Sequence, residues 1–374
     1  MKKKLLKTLM IGGTALAVAV SAGCSSPAEE PAADVPTRDV DFDSVELLND
    51  IPRYDLEELF AEQNLAEPDK TFGMVIIDRA TDPFAEQVEL AETYADQLGW
   101  DFKLADLKGQ VGNAGATLRT MIEGGVDVIL MTSMGPDLVG RDALAAAAAA
   151  GVPVLSQTSG FNASASDGAF ASTVESDLAL QGRVVGEQMV ADLPEGSKIA
   201  LLFDEQSASG RILEENFREA IGDKFEIVAE KQYDYAKGVP GAQADASAMI
   251  QAHPDLAAIW CPFDGPCTGP ANAVLASGND IAIYSKGGYP ALLDYIGRGV
   301  DVKTLAEPNT IKLLRGFDQA VYLTKGENVE TDVFLELGGM ITPENFEYAD
   351  VIADGTVSYG PDLAERFYQR WGVG

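Results

Sequence analysis

Residues 126–157 read VDVILMTSMGPDLVGRDALAAAAAAGVPVLSQ and decide the fold. Two apolar runs, VDVILMT (126–132) and VPVLSQ (152–157), have the length and β-branched content of buried strands. Between them, residues 136–150 predict one helix, which carries six consecutive alanines, Ala145–Ala150, and stops at Gly151. Strand, helix, strand at this spacing is a parallel crossover unit. The same alternation extends in both directions. Upstream lie strands FGMVIID (72–78) and DFKLAD (101–106), with helices at about 83–98 and 113–124. Downstream, KIALLFD (198–204), FEIVAEKQY (225–233), LAAIWC (256–261), IAIYS (281–285) and VDVKTLA (300–306) read as strands. Helices fit at about 176–192, 209–221, 239–252, 267–277, 289–299 and 309–324. This is an α/β chain of two successive lobes, each a parallel sheet with helices on both faces. Ligands in such sheets bind beyond the carboxyl ends of the strands, and two facing lobes place those ends around one cleft.

Composition narrows the function. The 374 residues are 46% hydrophobic and 23% charged, enough to fill sizeable cores. Acids outnumber bases 59 to 27, for a net charge of −32, which repels phosphate backbones and argues against nucleic acid as a partner. The one histidine, His253, reads as a surface loop residue and leaves no room for His-rich metal sites. No G-x-S-x-G, no Walker loop and no histidine beside a nucleophile occurs, so the chain does not read as an enzyme, and nothing in it calls for a cofactor or metal. Cys261 and Cys267 flank PFDGP; in an oxidising compartment a short-loop disulfide is favoured over two buried thiols.

The N-terminus sets the compartment. Residues 1–7 carry four lysines, an apolar run follows to about Val20, and Ser21-Ala22-Gly23 precedes Cys24. That is an export signal. SAGC is similar to the lipobox of bacterial lipoproteins, with Ser21 where leucine is usual, and implies lipidation of Cys24. The expected organisation is a signal peptide over 1–23 and a tether with an N-terminal extension over 24–69. Ser25 to Arg38 is too rich in Pro, Ala, Glu and Ser to build a core, while SVELLNDI and DLEELFAEQ within 44–64 predict short helix. Lobe 1 is expected over 70–174 plus 307–337, and lobe 2 over 175–306 plus 338–374.

Over residues 71–341 the chain resembles the ribose-type periplasmic sugar-binding proteins of ABC importers, the type I solute-binding proteins. FGMVIIDRATDPFAEQVELAETYADQLGWD (72–101) resembles the family's opening strand, Asn-Pro-Phe loop and helix, and GGVDVILMTSMGPDLVGRDALAAAAAAGVPVLS (124–156) its third strand, helix and Val-Pro-Val strand. The resemblance implies two Rossmann-like lobes joined by three crossings, near 174–176, 305–308 and 335–340, and a monomer that docks on ABC permease subunits. Since no stretch beyond the export signal approaches the ~18 apolar residues of a membrane span, membrane attachment is expected through the lipid anchor alone. It implies ligand positions at Asp82, Phe84, Thr132, Arg211, Tyr235, Phe263, Asp264, Lys286 and Glu307. Asp82 before Pro83 also suits a helix cap, and Phe84 and Tyr235 also suit core packing. The family's Asp-Arg pair is Thr158-Ser159 here, its Gly-Phe-Asp element is Tyr284-Ser285-Lys286, and Glu307 stands where a hinge glutamine is usual. Trading an acid for a lysine turns the pocket from accepting towards donating hydrogen bonds. If Asp264 and Glu307 pair with Arg211 and Lys286, the ligand is neutral, a sugar or polyol; otherwise a sugar acid or small carboxylate supplies the charge. A signalling receptor of the same fold is the alternative role.

Overall fold

A computed structural model describes residues 42–157, 168–335 and 337–374. The signal peptide, Cys24, the tether and the Thr158-Ser159 pair lie outside the described residues. The strands are β1 (Thr71–Ile76), β2 (Asp101–Asp106), β3 (Val128–Thr132), β4 (Val154–Gln157), β5 (Ser172–Ser176), β6 (Lys198–Phe203), β7 (Glu226–Gln232), β8 (Leu256–Trp260), β9 (Ala282–Gly287), β10 (Val302–Ala306), β11 (Asp332–Leu335) and β12 (Met340–Ile341). They form two six-stranded sheets. The first has the order β11-β5-β4-β3-β1-β2 and is parallel throughout. The second has the order β12-β10-β9-β8-β6-β7 and is parallel except for the β10–β12 pair.

Strands buried on both faces explain the near-continuous apolar runs. In the first lobe Phe72 of β1 stacks on Phe317 of helix Asn309–Thr324, with centroids 4.2 Å apart. In the second, Phe217 of helix Ala208–Ile221 stacks on Trp260 of β8 at 4.4 Å. Helix Leu178–Asp192 lies against Ala208–Ile221 so closely that a Cβ at Gly182 would sit 2.5 Å from the Leu213 carbonyl oxygen.

The chain passes between the sheets after β5, after β10 and between β11 and β12. Two further passes run beside them. Leu48 and Ile51 are buried in the core of the second lobe, while Tyr54, Leu56, Leu59 and Phe60 pack on that of the first. The C-terminal segment does likewise: Ile352 and Val357 belong to the second core, Leu363, Phe367 and Trp371 to the first. The two segments touch as they cross, with the Tyr54 N–H donating to the Ser358 carbonyl at 2.9 Å and the rings of Tyr54 and Tyr359 5.4 Å apart. They form a strap over the three-crossing junction. Arg370 ties it down, donating to both Asp318 oxygens and to the carbonyls of Leu59 and Glu62.

Three expectations change. The 136–150 segment is two helices, Pro136–Val139 and Arg141–Ala149, because Gly140 takes a φ of 91° that breaks the helix. Residues 44–64 contain only short turns, a 3-10 turn at Glu46–Leu48 and one helical turn at Glu57–Phe60, since their apolar groups are drawn to two different cores. Helix Leu363–Trp371 packs on the first lobe, so 338–374 is not all lobe 2.

Candidate functional site

In each sheet the strand order reverses direction once, between β1 and β3 in the first and between β6 and β8 in the second. Crevices open at such switch points beyond the strand ends. The sequence-predicted residues sit there: Asp82 and Phe84 after β1, Thr132 at the end of β3, Arg211 after β6, and Phe263 and Asp264 after β8. Lys286 is near the end of β9, and Glu307 is in the crossing that leaves β10.

Apart from Asp82, whose side chain is outside the description, their side chains divide into two groups. Lys286 and Glu307 meet, with Nζ 2.5 Å from Oε2, both 5% exposed. Ser176, at the end of β5, donates its hydroxyl to Glu307 Oε1 at 2.6 Å, and Lys312 Nζ approaches the same oxygen at 3.3 Å. Burial by itself pushes the Glu307 carboxyl up, but the Lys286 and Lys312 ammoniums and the Lys286 and Ser176 hydrogen bonds outweigh it and hold the carboxyl well below the usual range. Burial pushes the Lys312 ammonium down, against the pull of Glu307. The Lys286 ammonium also lies 5.4 Å from the centroid of the Phe263 ring.

The remaining residues serve their own lobes in this structure. Asp264 is 1% exposed; it accepts the Thr304 hydroxyl at 2.7 Å and the Tyr289 N–H at 2.9 Å. Burial raises its carboxyl pKa against those donors. It braces the Gly287-Gly288 turn, where positive φ values of 143° and 75° suit glycine, and its hydrogen bonds are with Tyr289 and Thr304 rather than with Arg211. Arg211 is exposed and donates to the Glu205 carbonyl. Tyr235 is 55% exposed with its hydroxyl on Asp204 at 2.8 Å. Thr132 is buried and donates to the Val75 carbonyl, and Phe84 belongs to the first core. Helix Asp82–Leu98 takes Thr81, not Asp82, as the residue before its first turn. Cys261 and Cys267 are disulfide-bonded, Cα atoms 5.7 Å apart, joining the end of β8 to the first turn of helix Asp264–Ser277. His253 ends helix Gly238–Ala252, half-buried.

Ser176, Lys312 and Glu86 were not among the predicted residues. Asn309 and Lys312 stand three residues apart at the start of helix Asn309–Thr324, and both are buried, the spacing being the sequence signal that could have placed them on one face. Glu86 accepts the Asn309 amide at 2.7 Å, and burial raises its carboxyl pKa. It lines a cavity of about 790 Å³ between the lobes, with Ala85 on one side, Gly287, Tyr289 and Asp294 on the other, Glu307 at the junction, and strap residues such as Asp350. Among the described residues no acid, histidine or cysteine group has the arrangement of a metal site, and no helix is long and apolar enough to cross a membrane.

Two α/β lobes, a multiple crossing and polar groups gathered at the junction match a known family. Residues 72–308 match the periplasmic binding protein domain. The chain belongs to the periplasmic binding protein family. It is 25% identical over 273 residues to the ribose import binding protein of Escherichia coli (strain K12), which covers 71% of this chain and 89% of that protein. Among solved structures, an ABC transporter periplasmic solute binding protein from Actinobacillus succinogenes 130z with bound D-allose superposes with a TM-score of 0.67 at 16% identity, over 75% of this chain and 99% of that one. The periplasmic binding protein component of the arabinose ABC transporter from Shewanella sp. ANA-3, bound to α- and β-L-arabinofuranose, gives 0.64 at 18%, over 81% and 98%. Periplasmic binding proteins of this type share the two-sheet architecture described here.

Proposed function

We propose that this periplasmic binding protein is the exported, lipid-anchored receptor of an ABC importer, and that it captures a small neutral sugar or polyol between its lobes. Membership of the family and the relatives' names support the receptor role. The observation that carries the neutral ligand is the Lys286–Glu307 ion pair. With its charge met inside the protein, Lys286 retains donors for hydroxyl oxygens rather than a demand for an anion. Asp82 and Phe84 in the first turn of helix Asp82–Leu98, Thr132 at the end of β3, Arg211 in helix Ala208–Ile221, and Tyr235 and Phe263 in loops are the proposed ligand-facing set, brought together when the lobes close about the crossings.

A thermal-shift screen tests this, using D-ribose, D-allose and L-arabinose against their aldonic acids. A ligand at 100 times its dissociation constant adds about 2.7 kcal/mol and raises the melting temperature. Stabilisation by a neutral sugar, with a more compact particle in small-angle scattering, is the expected result. Selective stabilisation by the acids would overturn the neutral reading, and no response to either class would count against a sugar receptor.

A further inference from the structure

Two buried ammoniums, those of Lys286 and Lys312, converge on the one carboxylate of Glu307. Lys286 alone meets the Glu307 charge, at 2.5 Å from Oε2. Lys312 nevertheless buries a second ammonium, 1% exposed, 3.3 Å from Oε1. Taking an ion out of water is costly, so a buried cation that merely duplicates another works against folding. The two carboxylate oxygens are served from different bodies. Oε1 receives Ser176 and Lys312, from β5 and helix Asn309–Thr324, both in the first lobe. Oε2 receives Lys286, from β9 in the second. Lys312 Nζ also approaches Asn309 Oδ1 at 3.5 Å, and Asn309 donates to Glu86 of helix Asp82–Leu98 at 2.7 Å, so a second acid stands behind the second cation.

We propose that Lys312 is a positioning residue for ligand recognition: as the standing counter-ion of Glu307, it frees the Lys286 ammonium to turn its donors to a ligand between the lobes. This rests on the sugar-receptor reading. An ammonium has three donors. Any donor that Lys286 turns from Glu307 to a hydroxyl would leave a buried carboxylate less compensated; Lys312 and Ser176 remain on Oε1 and absorb that loss. Without Lys312, ligand binding would compete with the ion pair.

The test is isothermal titration of wild type, Lys312→Met and Lys312→Met/Glu307→Gln with D-ribose, D-allose and L-arabinose between pH 8 and pH 5. Lys312→Met leaves the Lys286–Glu307 pair balanced; Lys312→Gln is the second variant should methionine not fold. For a sugar that wild type binds, Lys312→Met weakens affinity about tenfold or more at pH 7.5, the scale of a compromised hydrogen bond to a charged group. Wild-type affinity is flat with pH. That of Lys312→Met recovers as pH falls, because drawing Lys286 away raises the Glu307 pKa, so binding takes up a proton. Glu307→Gln, which mimics the protonated carboxyl, restores part of the affinity at pH 7.5. A merely structural role predicts neither rescue. An affinity within twofold of wild type, or a loss that neither acid nor Glu307→Gln relieves, overturns the proposal. If wild type binds none of the sugars, the receptor reading fails and takes this proposal with it.

Discussion

Replacing Arg370 by methionine should destabilise the protein by about 3–5 kcal/mol, the cost of stranding one member of a buried ion pair. Asp318 is 1% exposed and Arg370 is 7% exposed. The guanidinium grips Asp318 at 2.9 Å through Nε and 3.3 Å through Nη2, and its remaining donors reach Leu59, Glu62 and the Tyr322 hydroxyl. Asn64 at 2.9 Å and the Trp371 indole at 3.0 Å would still donate to Asp318, which places the loss nearer 3 than 5. Against a total stability of about 5–15 kcal/mol that is a large fraction. Adding Asp318→Asn removes the stranded charge while keeping an acceptor for Asn64 and Trp371, and should recover about 1–2 kcal/mol. Urea unfolding followed by tryptophan fluorescence measures both. The lobes can unfold separately, so the reading belongs in a Trp260→Phe background, where Trp100 and Trp371 report on the first core. A loss below about 1 kcal/mol, or a double variant no more stable than Arg370→Met, would refute the reasoning that Arg370 holds the strap through a buried charge.

Two further outcomes are expected. The Glu307 carboxyl is held below its ordinary value in the folded protein, while the unfolded chain protonates it near pH ~4.3; its stabilising contribution is therefore full above about pH 5 and shrinks as pH falls from there towards the folded value. The gap in urea midpoint between wild type and Glu307→Gln should be widest at neutral pH and narrower at pH 3, and a gap that widens in acid contradicts this. Cys24→Ser should move the protein from the membrane to the soluble fraction; a variant that stays membrane-bound like wild type ends the lipid-anchor reading.

The alternation of apolar runs and amphipathic segments by itself determined that the chain is a doubly wound α/β protein in two lobes, because burial on both faces of a parallel sheet imposes that pattern on any sequence that forms one. It left unread the short strands β5, β11 and β12, which are too brief or too polar to show a period. The resemblance also drew attention to Lys286 and Glu307, but no linear pattern says that they touch, or that Ser176, 131 residues upstream of Glu307, shares the same carboxylate. Lys312 is one residue of an amphipathic helix until the fold sets it against the crossing after β10. The strap is the clearest case. Tyr54 and Ser358 stand at opposite ends of the chain, and each flanking segment has apolar groups at no steady period because it serves two cores in turn. Local sequence encodes which residues prefer to be buried; only the closed tertiary structure decides in which of two cores, and beside which charge.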